Sequence, residues 1–360
     1  MRAAICYEFG KPLVVEEVTL DAPQAGEVRV KINVTGVCHS DLHAIGGDWT
    51  DRYQTPLVVG HESAGIVQDV GPGVTQYKSG DRVIVTLIRS CGRCFYCLGG
   101  NPQRCDASFA IDRERRLKNS KGQGLNLGMK TGSFADAVVV HESQLCPLPD
   151  DISFEIGALL ACGVITGAGA VLNTAEVKAG SSVVVIGAGG VGLNSIQAAR
   201  IAGAWPIVAV DLLDNKLEMA HQFGATHSVN PKSSDAIEFV KGLTDGRGAD
   251  YVFVTVGSAR ASEQGFAMLR SRGKLVIVGI PESGATVTFP SFSFFQERTV
   301  TGTTMGSTRL GTDVPRLINL YRSKQLLLDE LITARYPLER INEAIAHTAG
   351  GNALRNLVTF

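Results

Sequence analysis

The chain lacks any excess of one charge. Its 34 Lys and Arg stand against 35 Asp and Glu, a formal net charge of −1. Such a balance supplies no field for holding nucleic acid or an anionic membrane surface. Long apolar runs are missing as well. The most apolar segment, Gly157 to Leu172, is interrupted by Gly163, Gly167 and Gly169. It falls short of the roughly 20 residues that span a bilayer, so it reads as a buried element rather than a membrane helix. Aromatic residues are sparse at 6%. Met1-Arg2-Ala3-Ala4-Ile5 leads into a strand pattern without the layout of a signal peptide, and a cytoplasmic location is the expectation. There is no internal repeat and no low-complexity linker.

Glycine, by contrast, is abundant at 41 residues, which suits the tight turns of α/β folds and β-barrels. A chain of 360 residues is too long for one ordinary core, so two domains are expected. The first 155 residues or so read as strands. Val28 to Val34 alternates with period two, and Gly65-Ile66-Val67 and Arg82-Val83-Ile84-Val85 are short β-branched runs between Gly- and Pro-rich turns. This predicts a partly open antiparallel barrel. Near residue 175 the style changes. Ser182 to Ile186 is continuously apolar, as in a central parallel strand covered on both faces. Strand-like runs at 207–210, 251–254 and 274–278 then alternate with helical stretches at 190–203, 215–223 and 262–269. That alternation predicts a doubly wound parallel sheet, an α/β fold. The expected division is 1–163 for a catalytic domain, 164–304 for the parallel sheet, and 305–360 returning to the first.

Gly187-Ala188-Gly189-Gly190-Val191-Gly192 fits G-x-G-x-x-G between a strand and a helix. Asp211 ends the next strand, 19 residues after Gly192. The glycines permit the turn, the close approach of a pyrophosphate and the packing of helix on strand, while the helix N-terminus faces negative charge. Asp211 would accept from the ribose hydroxyls and repel a 2′-phosphate, and Leu212 and Leu213 offer no arginine. NAD is favoured over NADP. A Gly-rich turn beside a surface aspartate is the plain alternative.

Eight cysteines in a chain of this size suggest metal or chemistry more than disulfides. Four of them, Cys91, Cys94, Cys97 and Cys105, form C-x2-C-x2-C-x7-C. That spacing can wrap four thiolates around one zinc ion, a closed and therefore structural site. An iron–sulfur cluster is the chief rival, but in ferredoxins the fourth cysteine comes sooner and precedes proline, whereas Asp106 follows Cys105.

Other residues speak only together. Cys38 stands in Gly36-Val37-Cys38-His39-Ser40-Asp41, His61 in Val59-Gly60-His61-Glu62, and Cys162 in Ala161-Cys162-Gly163. Singly, each is compatible with core or turn. With the cysteine cluster and the terminal Arg355-Asn356-Leu357-Val358-Thr359-Phe360, they make the chain resemble, end to end, the zinc-containing medium-chain dehydrogenase/reductase family, and within it the longer-loop, dimer-like alcohol dehydrogenases. The resemblance implies a GroES-like barrel plus a Rossmann domain. It implies two zinc ions per chain, the catalytic one on Cys38, His61 and Cys162 with an open fourth position. Glu62 matches a carboxylate that binds the metal transiently. Asp41 matches an acid that orients the ligand imidazole.

The implied reaction is hydride transfer from a primary or secondary alcohol to NAD, with the alcohol proton leaving through Ser40 and His43. His43 as a merely exposed histidine stays open as an alternative. His39 and Arg355 match pyrophosphate contacts, and Thr166, Val191 and Val278 match residues at the nicotinamide. Lys216 matches a lysine near the adenosine ribose. Plain packing explains several of these equally well. Trp49, Leu87, Phe134 and Ile280 map to an apolar substrate pocket, and a small Ser40 leaves room for bulky or secondary alcohols. The alternative reading is S-(hydroxymethyl)glutathione dehydrogenase, whose pocket mouth carries acids and an arginine. Trp49 replaces one of those acids, although Asp48, Asp51 and Arg113 lie close in sequence. A zinc-ribbon nucleic-acid module fails on charge, for only Arg89, Arg93 and Arg104 flank the cysteines. A non-catalytic relative would have lost a ligand, and none is lost. A small-molecule alcohol or aldehyde, no nucleic acid, no membrane and a homo-oligomer, dimer or tetramer, are the expected partners.

Overall fold

Alternation along 28–34 becomes the eleven-residue strand Glu27–Val37, whose apolar side chains are buried. A computed structural model describes all residues 1–360, and this strand is the spine of its first unit. One edge pairs antiparallel with Glu62–Val70. On the other edge Ala137–His141 covers Glu27 to Lys31, and Arg355–Thr359 then takes over from Val34 to Val37. Register shifts after Arg29 and Ile32 raise the local twist. Sharing one long strand between two successive partners lets the sheet curl into a partly open barrel. Arg82–Val85, Leu145–Pro147 and Ile332–Pro337 extend it, and Val28, Val30, Ile32, Val67, Val83 and Val85 fill it.

The second unit is the parallel sheet. Its six strands run in the order His227–Val229, Ile207–Val210, Val183–Ile186, Ala249–Val254, Leu269–Ile277, Thr299–Gly302. All neighbours are parallel, and Val183–Ile186 and Ile207–Val210 are buried at every residue, as continuous apolar strands must be. Gly190–Ile201, Asp214–Gln222, Ala236–Gly242 and Ala259–Ala267 are the intervening helices, and the first, second and fourth lie within three residues of their expected bounds. No single helix is long and apolar enough to cross a membrane.

Contacts divide the chain into Met1–Cys162 with Arg309–Val314 and Leu328–Phe360, and Gly163–Thr308 with Pro315–Leu327. The expected return segment 305–360 is therefore split. A buried amide holds one part of it to the second unit. Gln197 accepts from the Leu327 N–H at 2.6 Å and donates to its carbonyl at 3.0 Å, tying residues 325–327 to helix Gly190–Ile201.

Candidate active site

Cys38 ends the spine strand and caps helix His39–Gly46, His61 and Glu62 open the neighbouring strand, and Cys162 follows helix Phe154–Leu160. Residues far apart in sequence thereby meet. One ligand atom from each of these four lies within 4.8 Å of all the others, and all four residues are buried. Asp41, fully buried, organises the group. Its carboxylate accepts from Cys38 N–H at 3.0 Å, from Gly60 N–H at 2.9 Å and from His61 Nδ1 at 3.1 Å. With Nδ1 engaged, His61 turns Nε2 inward, where that buried nitrogen has no hydrogen-bond partner. A buried orphan beside two sulfurs needs an explanation, and a zinc ion fits the donor set.

Charge within the group is strongly coupled. A hydrogen bond from Cys162 holds the Cys38 thiol well below its ordinary value against the opposing effect of burial, with His61 and Arg355 adding. Giving that bond pushes Cys162 well above its own. Burial disfavours the His61 imidazolium, but Asp41 outweighs it and the pKa rises. Burial raises Glu62 to about 8 despite Arg355.

Glu62 and Arg355 form an ion pair at 3.2 Å whose geometry falls short of a hydrogen bond, so both carboxylate oxygens remain without a donor. Arg355 also donates to the Val37 carbonyl at 3.4 Å and is 7% exposed. Its guanidinium is directed at Glu62. Sequence reasoning also missed why residue 36 is glycine. A Cβ there would lie 2.5 Å from Glu62 Oε2. The only signal was a glycine inside a β-branched run.

Ser40 is half-buried in the first turn of helix His39–Gly46, and His39 beside it is exposed. His43, on the same helix, makes a 2.5 Å contact from Nδ1 to Asp48 Oδ2 and stacks on Trp49 with ring centroids 5.2 Å apart. Asp48 had been noted only as a nearby acid.

The second ligand set is Cys91, Cys94, Cys97 and Cys105, with sulfurs within 4.8 Å of one another and each residue half-buried. None of the eight cysteines is in a disulfide. Backbone N–H groups point at sulfur here. Cys91 N–H donates to Cys105 Sγ at 3.3 Å, and Arg93 and Cys94 donate to Cys91 Sγ at 3.5 and 3.3 Å. Those donors, that of Arg93 first, hold the Cys91 thiol down to about 7, close to what metal ligation requires.

In the second unit Gly187 has φ of +95°, a left-handed turn that favours glycine. A Cβ at Gly192 would lie 1.8 Å from the Gly187 carbonyl, whereas one at Gly189 would meet nothing within 4 Å. The first and third glycines serve the fold, and the second leaves open space at the N-cap of helix Gly190–Ile201, a cradle for a ligand. Gly190 and Val191 form its first turn. Asp211 accepts from Ala188 N–H at 2.7 Å and from Leu213 N–H at 3.0 Å, so it braces the glycine turn as well as facing the end of its strand. Lys216 is half-buried on helix Asp214–Gln222, Thr166 directs its hydroxyl at Met305 sulfur at 3.7 Å, and the N–H of buried Val278 donates to the Val254 carbonyl at 2.8 Å.

The four expected pocket residues differ in exposure. Trp49 and Phe134, 3% and 0% exposed, belong to one hydrophobic cluster of the first unit, Leu87 is half-buried, and Ile280 is 48% exposed on the second unit. A cavity of about 250 Å³ is lined by residues 50–54 with Arg89, Ile111, Asp112, Arg115, Leu125, Asn126, Leu127 and Lys130. The loop 106–132 thus supplies much of a polar chamber wall.

Residues 24–150 match the alcohol dehydrogenase GroES-like domain and residues 190–323 the zinc-binding dehydrogenase family. The S-(hydroxymethyl)glutathione dehydrogenase of Paracoccus denitrificans is 36% identical, covering 100% of this chain and 99% of its own. Alcohol dehydrogenase 1 of Trifolium repens is 35% identical over 99% of this chain and 96% of its own. The crystal structure of benzyl alcohol dehydrogenase from Acinetobacter calcoaceticus superimposes with a TM-score of 0.92 at 32% identity, covering 100% of this chain and 99% of that one. With both ligand sets intact, this chain belongs to the zinc-containing medium-chain dehydrogenases, the family of the alcohol dehydrogenases.

Proposed function

We propose that this enzyme catalyses the reversible NAD-linked oxidation of primary and secondary alcohols, apolar and of medium or bulky size, to aldehydes and ketones. The observation that carries the reading is the buried group of Cys38, His61 and Cys162, with the His61 Nε2 lone pair turned inward and unpartnered. These three would hold the catalytic zinc, and the four clustered cysteines a second, structural one. When bound, zinc supplies a Lewis acid that makes an alcohol more acidic, and NAD supplies the hydride acceptor.

The chain's own residues do the rest. Asp41 fixes the His61 tautomer. Arg355 draws the Glu62 carboxylate aside, leaving the cysteine and histidine donors to the metal. We assign Ser40 to receive the alcohol proton and His43 to release it to water. Gly189 leaves room for the pyrophosphate, and Asp211 selects NAD over NADP through the ribose hydroxyls.

A second reading, oxidation of S-(hydroxymethyl)glutathione, draws support from the polar cavity, where, with Arg89 paired to Asp112, the cations Arg52, Arg115 and Lys130 stand against Asp51 alone. Eight cysteines without a disulfide suit a reducing compartment, consistent with a cytoplasmic location. We also propose a dimer. Strand Thr299–Gly302 is a sheet edge, and the preceding turn exposes Phe292 and Phe295 at 79% and 84%, an open edge that a second copy would cover. Sedimentation of the parent against Phe295→Glu tests it.

The decisive experiment is a panel of alcohols and aldehydes, hydroxymethylglutathione included, assayed with NAD and NADP beside a zinc count. Two zincs per chain, NAD preference and turnover of benzyl alcohol or octanol are expected. Turnover of the glutathione adduct alone would favour the second reading. A Cys38→Ala protein as active as the parent would remove the catalytic assignment.

A further inference from the structure

We infer that Asp48 is a positioning residue for the proton path, holding His43 in the tautomer protonated on Nδ1 so that Nε2 alone exchanges the proton. The inference rests on the dehydrogenase reading above. It starts from a turn. Helix His39–Gly46 ends at Gly47, whose φ of +93° suits glycine, and the N–H groups of Gly47 and Asp48 both donate to the His43 carbonyl, at 3.2 and 3.1 Å. The chain therefore doubles back over its last turn and brings the Asp48 carboxylate to His43 Nδ1, 2.5 Å away.

Two contacts then divide the task of orienting the ring. Trp49, buried at 3%, lies against the imidazole at an interplanar angle of 30°, which fixes the plane of the ring. Stacking is blind to which edge faces which way, since turning the ring over keeps the same plane. The Asp48 contact breaks that symmetry, because a carboxylate accepts only from a protonated nitrogen. The bond made by one ring nitrogen decides the state of the other. Nε2 is left with its lone pair. In the forward direction the alcohol O–H gives its proton to the Ser40 hydroxyl, which passes one on. Nε2 takes it up, and the imidazolium then releases a proton to water. Nδ1–H stays on Asp48 throughout, and the carboxylate steadies the cation while it exists. With the ring turned over or the proton on Nε2, no lone pair would meet the path.

The side chains of both residues reach solvent, 32% for His43 and 43% for Asp48, so removing Asp48 leaves no buried group stranded and the variants should fold. The test is ¹⁵N-histidine NMR of the zinc-loaded protein, with the His43 signals assigned through His43→Gln. In the parent and in Asp48→Asn, which keeps an oxygen to accept the bond, His43 is expected to carry its proton on Nδ1. In Asp48→Ala it is expected to move to Nε2. In alcohol oxidation, Asp48→Ala should lower kcat about tenfold, a part of what acid–base groups contribute, with KM unchanged and Asp48→Asn restoring most of the loss. In a His43→Gln background Asp48→Ala should have no further effect. An Asp48→Ala protein with the parental tautomer, or with kcat unchanged, overturns the inference. Failure of the dehydrogenase reading shows separately, as a parent protein that turns over no alcohol while its His43 tautomer still reports on Asp48.

Discussion

The glycine turn offers a pair of substitutions with opposite signatures. Gly189 has φ −80° and ψ −172°, extended backbone that alanine adopts freely, and no protein atom lies within 4 Å of where its Cβ would be. Gly189→Ala should gain about 0.4–1 kcal/mol by stiffening the unfolded chain. It should lose a similar few tenths to 1 kcal/mol at the N-cap, where glycine is the better residue. The net change is close to zero, and the melting temperature should stay within about 2 °C. The methyl group would nevertheless fill the space a pyrophosphate must enter. NADH affinity should fall at least tenfold, about 1.4 kcal/mol. Gly192→Ala is the reverse case. Its Cβ meets the Gly187 carbonyl oxygen at 1.8 Å and carbon at 2.9 Å, backbone atoms that cannot swing away. Overpacking of this kind costs about 1–3 kcal/mol and should lower the melting temperature by several degrees. Calorimetry, together with nicotinamide fluorescence titrations, reads both quantities. A Gly189→Ala protein that binds NADH like the parent would refute the cofactor assignment, and unchanged melting in Gly192→Ala would refute the packing argument.

Three further outcomes follow from hydrogen-bonded carboxylates. Asp41→Asn places an amide donor against one of three N–H donors, so zinc affinity measured by chelator competition should weaken roughly 10- to 100-fold; parental affinity would contradict the role given to Asp41. Asp211→Gly should narrow the NAD/NADP preference and also weaken NADH itself, since the Ala188 and Leu213 N–H groups lose their acceptor, whereas Asp211→Asn should spare more of the binding; equal kinetics for the two variants would argue against bracing. Burial pushes Asp250 upward, but hydrogen bonds from Ser182 and Arg270 outweigh it and hold its pKa below the ordinary carboxylate value. Its contribution is then complete above about pH 4, the unfolded value, and drains as pH falls through the lower folded value. Asp250→Asn should melt earlier than the parent at pH 7 and converge with it near pH 2; a constant gap across that range would refute the linkage.

What the sequence disclosed was what is local. Val183–Ile186 reads as a buried parallel strand because both its faces are apolar within four residues, and the cysteine cluster reads as a metal loop because its ligands lie within one short segment. Cys38, His61 and Cys162 carry no such signature. They meet only because two paired strands and a following helix converge, so resemblance alone could propose them. Partner choice was less legible still. Arg355 pairs with Glu62 across a strand pairing that joins the two ends of the chain, and nothing in either segment announces it. Trp49 and Phe134 show a different limit: an apolar residue suits a pocket wall and a core equally, and pattern alone does not separate them.

The two ligand sets also differ in a way that bears on their roles. The four-cysteine set is half-buried and is stabilised by backbone N–H groups at sulfur, donors that come with the loop itself. Four sulfurs complete a tetrahedral shell, so such a site can brace its loop but offers a substrate no place. The other set lies fully inside the barrel and owes its charge state to side chains: Asp41 behind the histidine, Arg355 opposite the glutamate. Three donors fill three positions there, and Glu62 is the only further ligand within reach. Its oxygens accept no hydrogen bond, and its one countercharge, Arg355, holds it at ion-pair distance without a directed bond. A carboxylate fixed so loosely in so buried a place suits a ligand that can give way to an entering alcohol. A four-cysteine shell has no equivalent. The burial and the donor count are together the reason for proposing the Cys38 set, rather than the four-cysteine set, as the place of turnover.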